Sequence, residues 1–437
     1  MRQRLRENAL CAVAAGASCA AMAWLGLYGF AWNDYDNEVR PAYEALMQGH
    51  IVGFLRLAPA YGGSLIERAP FALVPGLWGG GALAVYRTVA LPCLLATAML
   101  GVWLVSRMRG QGRSPLARAV ALGVCVANPI TLLALEVGHP EEVLGGCLCV
   151  AAVLLAARHS VGRDHSLLAG ALLGLAIANK EWALLAAGPV LLATPPGRRA
   201  RCLASACLTA AAVLGPLVLV SSGSFVSSAK AAAAPGGSPI FQPWQVWWFF
   251  GHHGALVHGL FGTAKPGYRT GPAWTGAISH PLVLVAGGAV AAAVWMRGGR
   301  RTALGQQDAL LTLALVLLLR CLLDTWDTSY YPLPFLLALL AWEVGTPSRK
   351  LPLLALTASV LMWISFQWLA LHVSADAQAA LFLAWTLPLA AWLGLGLFAS
   401  GSRAPAPAPR GGDSGQVRES PVGALGRSDD DLLSVPG

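Results

Sequence analysis

The chain has 437 residues, of which 56% are hydrophobic and only 12% charged, with a mean hydropathy of +0.60. A soluble domain carries roughly 25% charged residues, so a single water-soluble core describes this chain poorly. The net charge of +9 does not point to nucleic acid, because the arginines sit in short breaks between apolar runs, where membrane orientation explains them.

A run of about 20 apolar residues crosses the hydrocarbon layer, where only helices or closed barrels satisfy the backbone. The runs here are continuous and rich in Leu, Ala and Val, without the alternation of barrel strands. The fold class is therefore an all-α polytopic membrane protein with about 12 transmembrane helices. In chain order these are predicted at 9–31, 83–106, 116–135, 141–157, 166–179, 182–194, 202–222, 281–296, 306–323, 330–345, 351–371 and 378–399. Arg2, Arg4 and Arg6 before an apolar stretch, with small residues at Ala21 and Ala23, have the look of a signal peptide. The stretch continues through Trp24, Tyr28 and Phe30 to Trp32, so it reads as an uncleaved first helix. The fifth and sixth helices are short enough to lie tilted or half-buried. Residues 1–399 thus form one membrane domain with two long extracytoplasmic segments, about 32–82 and 223–280. Residues 400–437, rich in Ala, Pro, Gly and Ser, read as a disordered cytoplasmic tail. No internal repeat is visible.

Charge supplies a test independent of hydropathy. With the N-terminus cytoplasmic, the breaks holding Arg107, Arg109, Arg113 and Arg118, then Arg158 and Arg163, Arg198, Arg199 and Arg201, Arg297, Arg300 and Arg301, and Arg349 and Lys350 all fall inside. Most carboxylates and histidines fall outside. The location implied is the plasma membrane, with both termini cytoplasmic. The nine cysteines lie in or beside apolar runs and read as small apolar residues. Cys147 and Cys149 lack a partnering cluster, and His252, His253 and His258 do not have zinc spacing.

Four outer stretches carry candidate chemistry. In Asn33-Asp-Tyr-Asp-Asn-Glu38, the carboxylates Asp34, Asp36 and Glu38 follow the first helix. Such a group can act as a general base or hold a divalent cation. The bland reading is a solvated acidic loop with an Asp36–Arg40 pair. Glu136-Val-Gly-His-Pro-Glu-Glu142 is the turn between the third and fourth helices. Glu141 and Glu142 suit a helix N-terminus, whereas His139 could shuttle a proton or contact phosphate. Lys180 stands on the outer side against the loop bias, either snorkelling or binding a lipid-linked phosphate. In Arg320–Tyr331, Arg320 lies within the membrane, at a cost of about 2.5–3.5 kcal/mol. It either pairs with Asp324 one turn on or grips phosphate through its planar fork. Tyr330 and Tyr331 suit a membrane interface. The cluster Trp244–Phe250 lies flat on the outer leaflet or forms a sugar-stacking platform.

Together these stretches resemble the GT-C membrane glycosyltransferases, and among them the polyprenyl-phosphomannose-dependent mannosyltransferases of actinobacteria. The resemblance rests on DYDNEVRPAYEALMQG at 34–49, GHPEEVLGG at 138–146, LLAGALLGLAIANKEWALL at 167–185 and LRCLLDTWDTSYYPLPFLLAL at 319–339. It implies transfer of a sugar, mannose or another, from a polyprenyl phosphate to a lipid or cell-envelope glycan on the outer face, with inversion. Asp34 or Asp36 would be the base. Lys180, Arg320 and His139 would hold the donor phosphate, with Glu38, Glu142, Asp324 and Tyr330 in support. No cofactor is implied, and a divalent cation remains open. The acidic motif has Glu38-Val39-Arg40 where the family has Val-Tyr close behind its aspartate, so the choice between Asp34 and Asp36 stays open. The competing readings are a flippase of lipid-linked sugars and a noncatalytic envelope-assembly protein. A flippase needs charge along both halves of its path, and here the inner half holds few carboxylates besides Asp164, Asp308 and Glu343.

Overall fold

The computed structural model describes residues 2–26, 34–59, 61–158, 164–233, 241–253, 257–258, 264–265, 267–298, 302–346 and 348–399. The predicted tail at 400–437 and the end of the first predicted helix, 27–31, lie outside the described residues. Helix α1 is Arg2–Leu25. The segment at about 32–82, expected to be an extracytoplasmic loop, is helical where described, with a π-helical turn Tyr35–Val39, α2 (Arg40–Met47), α3 (Ile51–Leu57), α4 (Gly63–Ala72) and a 3₁₀ turn Val74–Trp78. Then come α5 (Ala82–Gly110), α6 (Pro115–Val126), α7 (Pro129–Val137), α8 (Glu141–Ala156) and α9 (Ser166–Asn179). A 3₁₀ turn Glu181–Ala186 leads into α10 (Ala187–Ala193), followed by α11 (Arg199–Ala233) and α12 (Ala273–Gly298). The last are α13 (Gln306–Leu323), α14 (Leu333–Gly345), α15 (Leu353–Trp363), α16 (Leu369–His372) and α17 (Ala375–Ala399). Two two-residue antiparallel pairs join β1 (His252–His253) to β4 (Arg269–Thr270), and β2 (Val257–His258) to β3 (Ala264–Lys265).

Seven helical stretches among the described residues are long and apolar enough to cross a membrane: 82–110, 115–137, 196–221, 273–297, 306–323, 353–372 and 375–399. Four shorter apolar helices join them, at 9–25, 166–179, 181–193 and 333–345. The helix predicted at 116–135 is broken at Asn128-Pro129, since proline cannot donate to the preceding turn. Asn128 repairs the break, accepting from the Ile130 amide at 3.0 Å and donating to Ser359 Oγ at 3.0 Å. The centre is made by α13 and α14, where Ala309–Leu318 and Leu333–Ala341 are buried throughout.

Helix ends meet in two sets. Glu7 pairs with Arg109 and Arg118, and Arg113 donates to the Thr346 carbonyl at 2.6 Å. Asp164 meets Arg198 and Arg201, and Arg199 donates to the Thr302 carbonyl. These are the arginine-rich breaks. The opposite ends gather the acidic motif, His139, Lys180 and Arg320. Helix α9 lies against α11 through Gly170 and Gly174: a Cβ added at Gly174 would sit 2.4 Å from the Ala206 carbonyl oxygen. Gly174→Leu is therefore expected to destabilise the fold by about 1–3 kcal/mol through overpacking. Size-exclusion chromatography of the detergent-extracted variant reads the effect, and an unchanged monodisperse peak would contradict the packing described.

Candidate functional site

The N-terminal end of α8 and the C-terminal ends of α9 and α13 face one another, and the acidic motif folds over them. Gly138 makes this approach possible. It ends α7 at φ +106°, and a Cβ there would meet the Tyr35 amide nitrogen at 2.5 Å. The turn after it presents His139 to the residue preceding Tyr35. His139 Nε2 lies 2.9 Å from Asp34 Oδ2, and Nδ1 lies 2.6 Å from Glu141 Oε1. Both ring nitrogens are thereby engaged. Burial and the Lys180 ammonium each oppose a charge on this ring, yet the Glu141 carboxylate and the bond to Asp34 outweigh them and push His139 up to about 9. At neutral pH the ring is an imidazolium donating to two carboxylates.

From Glu141 the network runs inward. Arg68 Nη2 lies 3.4 Å from Glu141 Oε2, and Lys180 Nζ lies 3.2 Å from Glu141 Oε1 and 3.1 Å from Glu142 Oε1. Glu142 also accepts from Trp182 Nε1 at 3.1 Å and from both terminal nitrogens of Arg320, at 3.3 and 3.4 Å. Asn179 donates to the Glu141 carbonyl at 2.8 Å. Aromatic faces close the cluster: Lys180 points at Tyr61 and Tyr330, 4.8 and 5.6 Å from the ring centres, and Arg320 lies between Trp182 and Tyr331, at 4.7 and 3.9 Å. Glu38 accepts from the Tyr61 hydroxyl at the rim.

Arg68, His139, Glu141, Glu142, Lys180 and Arg320 are all buried, while Asp34 remains about one-quarter exposed. With an imidazolium, four cations (Arg68, His139, Lys180, Arg320) face three carboxylates (Asp34, Glu141, Glu142). These ion-paired groups therefore carry one positive charge in excess, in surroundings that screen it poorly, with the exposed Glu38 at the rim and Asp324 paired to His280 outside the count. Such a site favours an anion of charge −1. Compared with known proteins, the chain matches no family model, no curated protein and no solved structure.

The residues singled out from the sequence divide by position. Asp34, His139, Glu142, Lys180, Arg320 and Tyr330 come together. Asp36 does not: it turns outward to Arg40 at 3.3 Å, on the exposed face of the turn. The expected Asp324–Arg320 pair is replaced by Glu142–Arg320, because Asp324 receives the Trp326 amide at 2.8 Å and pairs with His280 at 3.3 Å. The aromatic segment neither lies flat nor forms an open platform. Trp244, Gln245 and Trp247 donate to the carbonyls of Asp327, Thr325 and Leu323, strapping the loop that follows Arg320, while Phe249 and Phe250 alone stay exposed. In that loop Asp327 is fully buried, and burial pushes its carboxyl well above the usual carboxylate range. His253 lies 3.4 Å from Asp376. Among the described residues no group of three metal-ligating side chains gathers. Sequence reasoning missed Arg68, Tyr61 and Trp182 and gave Glu141 only a dipole role. The one available signal was Arg68 itself, a cation in a segment expected to be extracytoplasmic, like Lys180.

Proposed function

We propose that this chain is a polyprenyl-phosphate-sugar-dependent glycosyltransferase of about 12 membrane spans, acting at the extracytoplasmic face of the plasma membrane with both termini cytoplasmic. The observation that carries the reading is the joined network Asp34–His139–Glu141–Lys180–Glu142–Arg320, which sets a partly exposed carboxylate beside a buried excess of positive charge. A sugar phosphodiester carries the single negative charge that this excess favours.

The chemistry asks for a base on the acceptor hydroxyl and for cations on the departing phosphate. Asp34 is the base, and His139, 2.9 Å away, holds and aims it. His139 accordingly holds Asp34 rather than the phosphate. Lys180, the most exposed of the inner cations, meets the phosphate, while Arg320 sits behind Glu142 and fixes it. Displacement of the phosphate by the hydroxyl, with its proton passing to Asp34, inverts the anomeric carbon.

Two of the three inner-half carboxylates, Asp164 and Glu343, are accounted for by local structure, which favours an enzyme over a flippase. Asp164 caps the Ser166 amide, and Glu343 receives the Leu354 and Ala355 amides as well as Arg349. Lipid and glycan profiling of a deletion strain tests the reading: a missing sugar residue supports it, whereas accumulated donor with normal products points to transport. Reporter fusions after residues 110 and 300 are expected to report cytoplasm, and one after 230 the opposite side; a cytoplasmic signal at 230 would overturn the orientation.

A pH dependence follows from His139. Its ordinary value of 6.5 is raised to about 9, so its charge is present below both values and is lost as pH rises through about 9. Transfer is expected to decline across that limb. In His139→Gln the rate is lower throughout and the alkaline limb disappears. A variant that keeps the limb would remove His139 from the titration.

A further inference from the structure

On the opposite membrane face, which bears the arginine-rich breaks, α10, α12, α13 and α17 end around a cavity of about 240 Å³. Leu192, Val294, Trp295 and Leu397 supply apolar wall, and Arg297 and Asp308 supply charge. The link before α13 is fixed by two bonds, Leu304 amide to Leu192 carbonyl at 2.8 Å and Arg199 to Thr302 carbonyl at 3.1 Å, so the wall is built rather than incidental.

The two charges are poorly matched to each other. Arg297 Nη2 reaches Asp308 Oδ2 only at 4.0 Å, the outer limit of an ion pair. Arg297 Nη1 is buried with no hydrogen-bond partner among the described residues. A buried guanidinium donor left unmet is costly, so an acceptor is called for. A simple anion satisfies Arg297 but faces the Asp308 carboxylate. A ligand bearing both signs satisfies the two groups at once.

We propose that this cavity binds the headgroup of a zwitterionic phospholipid with a primary ammonium, of the phosphatidylethanolamine type. Its phosphodiester sits on Arg297 and its ammonium on Asp308. At about 240 Å³ the cavity is below the roughly 300–1,000 Å³ of sites for drug-sized ligands, which fits a headgroup whose acyl chains stay outside. The surroundings supply a place for those chains. α12 and α17 are among the least covered of the apolar spans, and Met296, Leu395 and Phe398, within two positions of lining residues along those helices, stand exposed. Basic pockets between helix ends are a known form of headgroup site, and the carboxylate here adds selectivity. Choline has no N–H to give Asp308, and glycerol has no cation, so both are discriminated against. The inference does not depend on the reaction at the outer face.

The test uses the full chain in detergent, titrated separately with dioleoyl phosphatidylethanolamine, phosphatidylglycerol and phosphatidylcholine, with retained lipid counted by native mass spectrometry. The wild type is expected to retain phosphatidylethanolamine about tenfold better than either other lipid, a difference of about 1.4 kcal/mol. Arg297→Ala abolishes that preference. Asp308→Asn shifts it toward phosphatidylglycerol, a gain that misfolding cannot produce. Equal retention of the three lipids by the wild type, a wild-type preference for phosphatidylglycerol, or unchanged selectivity in both variants overturns the proposal.

Discussion

Asp34→Asn is expected to lower glycosyl transfer by about 10²–10⁴-fold, while Asp36→Asn stays within a few fold of wild type. The two residues are two positions apart in an acidic stretch, and composition alone does not separate them. Geometry does: Asp34 lies 2.9 Å from His139, beside the buried cations, whereas Asp36 lies 3.3 Å from Arg40 on the exposed side of the same turn. An exposed i,i+4 pair of that kind contributes only a few tenths of a kcal/mol, so its loss hardly alters the fold. Asparagine keeps the shape of Asp34 and its acceptor oxygen toward His139 but cannot take a proton from a hydroxyl. The effect is therefore expected in turnover more than in donor affinity. The measurement is transfer from a polyprenyl-phosphate sugar in purified membranes, with donor binding followed in parallel. Wild-type turnover in Asp34→Asn removes the base from the mechanism, and a matching collapse in Asp36→Asn shows that the turn moves as a unit.

The membrane helices were legible in the sequence because burying backbone in lipid demands long apolar runs, and such runs show without any knowledge of partners. The boundaries of α8, α9 and α13 accordingly fall within a residue of those expected, at Glu141–Ala156, Ser166–Asn179 and Gln306–Leu323. The outer segment was not legible. Its helices α2, α3 and α4 are short, and α2 owes its burial to Ala42 and Tyr43 meeting residues far along the chain, such as the Leu65 carbonyl that accepts from the Tyr43 hydroxyl. The site was half legible. Lys180 and Arg320 stand out because a cation against the loop bias or inside an apolar run needs a cause. Their counterion did not stand out, since Glu141 and Glu142 at the start of α8 already had a sufficient local explanation in the helix dipole. Only the arrangement of three helix ends shows that Glu142 receives Lys180, Trp182 and Arg320 together.

That convergence makes Glu142 the residue whose loss is expected to cost most stability. Glu142 is fully buried, and neither Lys180 nor Arg320 has more than a small fraction of its surface exposed. Removing the shared carboxylate charge strands Arg320 in a weakly screened interior, facing a Lys180 that keeps only Glu141. Breaking a buried pair in this way costs about 3–5 kcal/mol, most of it the penalty of the uncompensated charge. Glu142→Gln is thus expected to lower the apparent unfolding midpoint in detergent markedly, read at one fixed heating rate because membrane proteins rarely unfold reversibly. Two further observations separate this cause from a general packing defect. The double variant Glu142→Gln/Arg320→Met removes one stranded cation and is expected to regain part of the loss, a coupling that independent sites do not show. Added polyprenyl phosphate supplies the missing negative charge and is expected to raise the midpoint of Glu142→Gln more than that of the wild type, by linkage to the folded state. If polyprenyl phosphate shifts neither protein, the cluster does not receive a lipid phosphate, and the excess positive charge behind Asp34 serves the fold alone.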